Sequence, residues 1–239
     1  MQLHIYDNAE KLTVAVADWM VDYINSTLLQ RDKFTIALSG GNTPKQLFAK
    51  LASAAYRDRI DWKRMCIFWG DERAVPFDDE RNNAKVAFDV LLDKVPVPAS
   101  QVHRMGIISP RDSAIEYQQL LQEYFNDTHT SFDLVLLGLG EDGHTLSIFP
   151  DSPVLNDHQS WVKAVYVPAQ NMWRITLTPV IVNKAAKIIF LVTGASKAKV
   201  LKQILEGNKT YPASLIQPTR GELHWFLDRE AMPGELPTS

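Results

Sequence analysis

The sequence predicts an α/β fold in which a mainly parallel, doubly wound sheet carries helices on both faces. Apolar runs of strand length, such as Phe34–Leu38 and Met65–Trp69, alternate with longer amphipathic stretches. Strands that are apolar on both faces belong to a covered sheet, and alternation with helices implies right-handed crossovers between parallel strands. A length of 239 residues suits one domain spanning residues 1–239.

The elements follow one another with clear boundary signals. Asn8 and the Ser109-Pro110 pair can each begin a helix, and Thr43 is predicted to cap another, with Pro44 in its first turn and Gln46 closing a capping box. The helix that begins near Ser196 should end before Gly207. Strands are predicted at Gln2–Tyr6, Phe34–Leu38, Met65–Trp69, Phe132–Leu137 and Lys187–Val192, with an alternating late or edge strand at Glu222–Leu227; helices are predicted from Asn8 to about Leu29, from Thr43, from Ser109 through Phe125, and from Ser196 to about Leu205.

Composition excludes several classes of protein. The chain has 25 Lys plus Arg against 28 Asp plus Glu, a formal charge of −3, so it lacks the overall basic character of a nucleic-acid-binding protein. The single cysteine, Cys66, lies in an apolar run, which favours a buried thiol in a reducing cytoplasm over disulfides or a Cys-rich zinc site. The N-terminus does not resemble a signal peptide, and no apolar run approaches the ~20 residues of a membrane span.

Function is expected in the loops that follow the strands, because ligands in such folds bind beyond the carboxyl ends of the strands. Two of these loops, Ser39–Pro44 and Thr193–Lys197, join a strand to a helix start through glycine. Free N–H groups at a helix start suit a phosphate, and Lys197 could pair with an anion. The Ser39–Pro44 loop could equally be a tight turn without a ligand and is not a Walker loop, because Gly-Lys-Ser/Thr is absent. For the Thr193–Lys197 loop the alternative is an exposed lysine.

A third loop, Gly70–Arg73, places three charges after a strand. Arg73 could offer its planar guanidinium to a phosphate or carboxylate while a neighbouring acid holds it, and Asp71 could act as a general base or an orienting group. A solvated loop with an internal ion pair is the alternative. Arg174, at the start of the strand-like Ile175–Leu177, could also reach the site.

The fourth loop, Gly138–Thr145, contains a G-x-G-x-x-G match that is weak as a dinucleotide fingerprint, because Pro150 and Pro153 interrupt the expected helix. The sharper feature is His144 beside Asp142. An imidazole can take a proton from water while a carboxylate fixes its tautomer. A histidine that merely bonds the loop backbone is the competing interpretation. No His-x-His or His-x-x-x-His pattern supports a metal site.

Taken together, four loops at equivalent positions predict one cleft. It would gather Arg73, Lys197 and Arg174 with two helix N-termini and one Asp/His pair. Such a site fits a phosphorylated metabolite that undergoes acid–base chemistry at a carbonyl-level carbon. The sequence therefore predicts a local positive patch on a mildly acidic surface.

At these four loops the sequence resembles the 6-phosphogluconolactonase family. The resemblance rests on Ser39-Gly40-Gly41-x-Thr43-Pro44, Asp71-Glu72-Arg73, Gly138-x-Gly140-x-Asp142-Gly143-His144-Thr145-x-Ser147-x-Phe149-Pro150 and Gly194-x-x-Lys197, whose order and spacing match over nearly the whole chain. Leu146 departs from the alanine usual there. The resemblance implies a Rossmann-like domain of the superfamily that includes glucosamine-6-phosphate deaminases and ribose-5-phosphate isomerases.

The family also implies a reaction, which is hydrolysis of 6-phospho-D-glucono-1,5-lactone without a metal or organic cofactor. His144 would be the general base, and Asp71 or Asp142 would orient water or His144. Arg174 is a weaker candidate for substrate binding, and a cytoplasmic monomer or weak dimer is expected. The residues expected to bind the sugar and phosphate are Gly40, Gly41, Asn42, Thr43, Arg73 and Lys197.

Three other functions remain open at this point. An aminosugar-phosphate deaminase or isomerase shares the Asp-Gly-His loop, but its motif supplies a glutamate immediately before the proline, where this chain has Phe149. The glycine match keeps an NAD(P)-dependent oxidoreductase in view. A non-catalytic sugar-phosphate sensor is the third, although a sensor would not need His144.

Overall fold

Strands and helices alternate through the described part of the computed structural model, residues 1–107, 109–126 and 130–232. Most predicted elements are confirmed within two residues, including the caps at Asn8 and Ser109. The strands are β1 (Gln2–Tyr6), β2 (Phe34–Leu38), β3 (Met65–Trp69), β4 (Asp71–Arg73), β5 (Leu134–Gly138), β6 (Val162–Val167), β7 (Met172–Leu177), β8 (Lys187–Val192) and β9 (Glu222–Asp228); the helices are α1 (Ala9–Leu28), α2 (Asn42–Leu51), α3 (Asn83–Val90), α4 (Pro110–Phe125), α5 (Pro179–Val182) and α6 (Ala198–Leu205).

Six strands form the main sheet in the order β1-β9-β8-β5-β2-β3, and every neighbouring pair is parallel. The predicted mainly parallel sheet is confirmed. The edge position considered for Glu222–Leu227 is wrong, because β9 lies between β1 and β8. Its alternating pattern is misleading because the polar side chain of His224 is buried beside polar partners instead of facing solvent.

Helices cover both faces of this sheet, as predicted. Successive residues of a strand point to opposite faces. Phe68 packs its ring against Tyr124 and Phe125 of α4, whereas the next residue, Trp69, stacks with Phe88 of α3. None of the helices in the described ranges has the length and apolar character that crossing a bilayer demands.

A second, antiparallel sheet of three strands, in the order β4-β7-β6, adjoins the first. The sequence does not predict this sheet, because the three charged residues of β4 are typical of a loop. In the structure, β4 follows β3 after Gly70 alone and pairs with β7, so that Arg73 lies opposite Arg174. This pairing joins the second sheet to the carboxyl ends of the first.

A histidine pair, His4 of β1 and His224 of β9, joins these two strands; His224 is buried and His4 is half-buried. The Nε2 atom of His4 is 3.1 Å from Nδ1 of His224, whose Nε2 is 2.9 Å from the Glu222 carboxylate; Lys187 faces the same carboxylate at 2.8 Å. Burial lowers the pKa of both histidines, and for His224 it outweighs the opposing effect of Glu222. Protonation of the folded protein is therefore disfavoured at this pair.

This pair predicts a loss of stability in acid. Below the ordinary histidine pKa of 6.5 the unfolded chain binds protons that the folded chain resists, so the free energy of unfolding should fall as the pH is lowered from 7.5 to 5. Urea denaturation of His4→Gln should show a smaller fall over that range. His158→Gln, at an exposed position, controls for the loss of a histidine. Equal pH dependence in wild type and His4→Gln would contradict the assignment.

Candidate active site

The four loops singled out in the sequence follow β2, β3, β5 and β8, which are consecutive neighbours in the sheet. Because these strands are parallel, their carboxyl ends and the loops meet at one edge. The loops surround a cleft of about 420 Å³. It is lined by Ser39, Gly40, Gly41, Asn42, Thr43, Pro44, Asp71, Arg73, Asn83, Gly138, Leu139, Gly140, His144, Leu146, Gln170, Arg174, Leu191, Val192, Thr193 and Lys197.

The structure brings the predicted site residues together. Every one of them lines the cleft except Asp142, which contacts Nδ1 of His144. Arg73 and Lys197, which come from loops 124 positions apart in the chain, lie in the same cleft, as the one-cleft inference requires. The three basic side chains of the lining make this a positive site on a chain of net charge −3.

His144 is oriented by its neighbour two residues earlier. Oδ1 of Asp142 lies 2.5 Å from Nδ1 of the His144 ring and accepts the His144 backbone N–H at 3.1 Å. Partial burial opposes the charge on Asp142, but these bonds from His144 hold the pKa of the carboxyl below its ordinary value. The ring of Phe149 stacks on the imidazole at 4.2 Å. With Nδ1 engaged, Nε2 is the nitrogen left to act as a base.

Gly140 allows this arrangement because, without a Cβ, its backbone can lie close to the side chains of His144 and Asp142. A Cβ at Gly140 would lie 2.0 Å from Nδ1 of His144 and 2.6 Å from Oδ1 of Asp142. The Gly140 backbone N–H donates to the His144 carbonyl oxygen at 2.8 Å, which closes the loop upon itself. Any side chain at this position must displace the imidazole or the carboxylate.

Two arginines lie opposite each other on adjacent strands of the second sheet. Arg73 and Arg174 are direct partners in the β4–β7 pairing, where like charges oppose each other. Among the described residues, the Nε atoms of both are buried without a hydrogen-bond partner. Buried donors are almost always satisfied, so this pair indicates an anionic ligand.

The predicted ion pair between the Arg73 guanidinium and a neighbouring acid is wrong. Arg73 Nη1 donates to the carbonyl oxygen of Arg81 at 2.5 Å, and the recorded acid partner on this strand belongs to Arg174, whose Nη1 lies 3.6 Å from Oδ2 of Asp71. Glu72 cannot reach the Arg73 guanidinium because successive side chains of a strand point to opposite sides, and that of Glu72 is buried on the other side of β4. Asp71 lies on the same side as Arg73 but accepts from Ser147 and faces Arg174.

Asp71 is tied to Ser147, a residue of the fourth-loop motif to which the sequence assigns no role. Ser147 is fully buried and donates its hydroxyl to Oδ2 of Asp71 at 2.5 Å. Burial lowers the pKa of Arg174, and the charge of Asp71 opposes that effect. Arg174 also donates to the side-chain oxygen of Gln170. Neither Ser147 nor Gln170 belongs to a helix start or a charged motif that would mark it without the fold.

The loops Ser39–Pro44 and Thr193–Lys197, which the sequence predicts to suit a phosphate, are connected through Thr43 in a way that the sequence does not predict. Thr43 does not cap α2. The helix begins at Asn42, Gly41 is its N-cap residue, and no side chain caps it, so the proposed capping box with Gln46 is absent. The hydroxyl of Thr43 lies 2.9 Å from that of Thr193, which joins the two loops and explains why it is not available to its own helix.

Lys197 lies in a short 3₁₀ turn, Ala195–Lys197, that leads into α6. Its Nζ is 3.5 Å from Oε1 of Glu141. Hydrogen bonding from the Ser196 side chain and the charge of Lys197 hold the pKa of Glu141 below its ordinary value. This contact brings the His144 loop to the side of the cleft formed by the Lys197 loop.

Comparison with known proteins places the chain. The model of the glucosamine-6-phosphate isomerase/6-phosphogluconolactonase family matches residues 7–225. The chain belongs to this family. That assignment agrees with the parallel sheet and with the clustering of the loops at one edge.

Individual relatives point the same way. A 6-phosphogluconolactonase of Synechocystis is 39% identical to this chain, and the match covers 87% of this chain and 87% of the Synechocystis protein. A probable chloroplastic 6-phosphogluconolactonase of Oryza sativa is 36% identical over 96% of this chain and 75% of its own. The solved 6-phosphogluconolactonase of Trypanosoma cruzi, 26% identical, superimposes with a TM-score of 0.85 over 96% of this chain and 95% of its own.

The described residues contain no group of three or more His, Cys, Asp or Glu side chains arranged to hold a metal ion. The cleft instead presents one imidazole, three cations and backbone N–H groups. These groups can bind an anion and move a proton.

Gly140→Ala should disrupt the Asp142–His144 contact. The added methyl group would lie 2.0 Å from Nδ1 of His144, which is too close for two non-bonded atoms. A crystal structure of the variant should therefore show the imidazole displaced and the 2.5 Å hydrogen bond lost. Gly106→Ala is the matched control, because an added Cβ there meets nothing within 4 Å. An unmoved imidazole in Gly140→Ala would show that the close approach is not limiting.

Proposed function

We propose that this protein is a 6-phosphogluconolactonase, which hydrolyses 6-phospho-D-glucono-1,5-lactone to 6-phospho-D-gluconate in the oxidative pentose phosphate pathway. The observation that carries the proposal is the presence in one cleft of a carboxylate-oriented imidazole and two arginines whose Nε atoms are buried without a hydrogen-bond partner among the described residues. The names of the Synechocystis and Trypanosoma relatives support it.

The cleft would bind the substrate through its single anionic group and its hydroxyls. Gly40, Gly41, Asn42 and Thr43 line one wall at the start of α2, where backbone N–H groups are free to donate to an oxyanion. Arg73 and Lys197 supply positive charge, and Arg174 adds a second guanidinium held by Asp71. We assign these residues to sugar and phosphate binding.

His144 would act as general base and then as general acid. Its Nε2 takes a proton from water as the water oxygen adds to the lactone carbonyl carbon, and nearby donors stabilise the resulting oxyanion. When the bond between that carbon and the ring oxygen breaks, the ring oxygen takes the proton back from His144. The new carboxylic acid then releases a proton to solvent, and the imidazole is again neutral.

The two aspartates have different roles in this proposal. The contact with Nδ1 makes Asp142 the residue that orients His144 and stabilises its protonated form. The carboxylate of Asp71 accepts from Ser147 and faces Arg174, so it would hold the guanidinium in place instead of orienting His144. Asp71 also lines the cleft and could contact a substrate hydroxyl.

The residue before Pro150 argues against the deaminase or isomerase chemistry that the family also includes. That position holds Phe149, whose ring stacks on His144 and offers no carboxylate for ring opening or enolisation. Lactone hydrolysis needs one base and an anion site, roles that we assign to His144 and to the basic side chains of the cleft.

We further propose that the enzyme uses neither metal nor organic cofactor and acts in the cytoplasm as a monomer or weak dimer. A single buried cysteine fits a reducing compartment. The chloroplastic rice relative shows that the fold also serves in an organelle. Cell fractionation tests the location, and sedimentation of the native protein tests the oligomeric state.

The wild-type protein should hydrolyse freshly prepared lactone faster than its spontaneous rate. His144→Ala should lower kcat by about 10²- to 10⁴-fold, the usual contribution of general acid–base catalysis, while 6-phosphogluconate still binds. A wild-type rate equal to the blank would overturn the proposed function, and ammonia release from glucosamine 6-phosphate would favour the deaminase. A His144→Ala variant of normal rate would refute the general-base role.

Arg73→Ala should mainly raise the KM for the phosphorylated lactone, by about 10- to 100-fold, because it removes charge-assisted hydrogen bonds made to the bound substrate. Arg57→Ala removes the same charge from outside the cleft and is the control. Steady-state kinetics measure both. A KM unchanged from wild type would exclude Arg73 from the substrate site.

A further inference from the structure

Glu72 is a buried acid that the proposed reaction does not use. It stands between two cleft residues, Asp71 and Arg73, but its own side chain faces the interior and is 1% exposed. Burial raises the pKa of Glu72 to about 7, against the opposing effect of backbone N–H donors. A buried carboxylate is costly to keep charged, so its contacts need an explanation.

The carboxylate joins β4 to the first turn of α3. Oε1 accepts the backbone N–H groups of Arg73 at 2.8 Å and Asn83 at 2.6 Å, and Oε2 accepts that of Ala84 at 2.8 Å. Asn83 and Ala84 open α3, where N–H groups have no partner within the helix and the helix dipole favours negative charge. The ionised form of Glu72 is therefore the one that these contacts fit.

This first turn of α3 also reaches the loop before α2. Asn83 lines the cleft and donates its amide to the carbonyl oxygen of Asp71 at 2.9 Å. Its Oδ1 lies only 2.0 Å from the position that a Cβ of Gly40 would take, so the Asn83 side chain packs closely against the Gly40 backbone. A movement of Asn83 would therefore alter the Gly40 loop as well as the β4 wall.

We propose that Glu72 is a positioning residue for the substrate cleft, where its ionised carboxylate holds the first turn of α3 against β4 and so sets the places of Arg73 and Asn83. The proposal rests on the proposed function, which assigns Arg73 to substrate binding, and Asn83 lines the same cleft. Glu72 touches neither the cleft nor any reacting atom, and it acts through the backbone of residues that do.

Glu72→Gln tests the proposal, because it keeps the size of the side chain but turns one acceptor into a donor that faces a backbone N–H. Loss of the charged contact should raise the KM for the lactone about tenfold or more, with kcat within about threefold of wild type. The affinity for inorganic phosphate, measured by calorimetry, should fall in parallel. Unchanged KM and phosphate affinity would overturn the proposal.

Asn82→Ala is the matched control for helix stability. The Asn82 side chain caps the same helix by accepting the Lys85 N–H at 2.9 Å, but it does not line the cleft. This variant should lower the thermal midpoint while KM stays within about twofold of wild type. If Asn82→Ala raises KM as much as Glu72→Gln at a similar midpoint, helix stability alone explains the effect and the positioning role is refuted.

Two further measurements keep the outcomes separate. If Glu72→Gln does not fold, Glu72→Asp keeps the charge but shortens its reach, and an unchanged KM in that variant overturns the proposal. If wild type shows no lactone turnover, the proposed function fails, yet phosphate binding still decides the role of Glu72. Absence of both lactone turnover and phosphate binding in wild type would overturn both proposals.

Discussion

The parallel pairing of four neighbouring strands is the constraint on which the site depends. Only in this register do the loops after β2, β3, β5 and β8 end at one level. A buried carboxylate helps to hold it, since Oδ2 of Asp133 accepts both the backbone N–H and the hydroxyl of Thr35 at 2.8 Å, and Arg31 pairs with Oδ1. A slip of β2 against β5 would leave that charge without partners, at a cost of several kcal/mol.

The second sheet adds what the parallel sheet cannot supply. Because β4 follows β3 after one glycine and then pairs with β7, two guanidinium groups from distant parts of the chain face each other above the cleft. Opposed like charges destabilise a sheet, and buried unpaired donors cost more. Asp71 offsets part of this through Arg174. Such an arrangement is understandable in a site that binds an anion.

Charge is separated within the molecule in a way that the net value conceals. The chain is mildly acidic, yet the lining of the cleft contains three basic side chains, and the acids near them face other groups. Asp142 contacts His144, Asp71 accepts from Ser147, and Glu72 faces the backbone of α3. Each of these three carboxylates is therefore bonded to a protein group, which offsets the repulsion it would exert on a substrate anion in the cleft.

The sequence by itself determined the fold class, the four loops and most of the cleft residues, because strand hydrophobicity, helix caps and glycine-rich turns are local signals. Only the tertiary structure decided that Asp142 contacts His144, that Asp71 holds Arg174, that Thr43 bonds Thr193 instead of capping α2, and that β9 is internal. The contacts of Ser147, Gln170 and Glu72 were equally beyond the sequence, although Ser147 belongs to the motif of the fourth loop. Each depends on partners from distant segments, and the choice among alternative polar partners is made by packing, which no local pattern records.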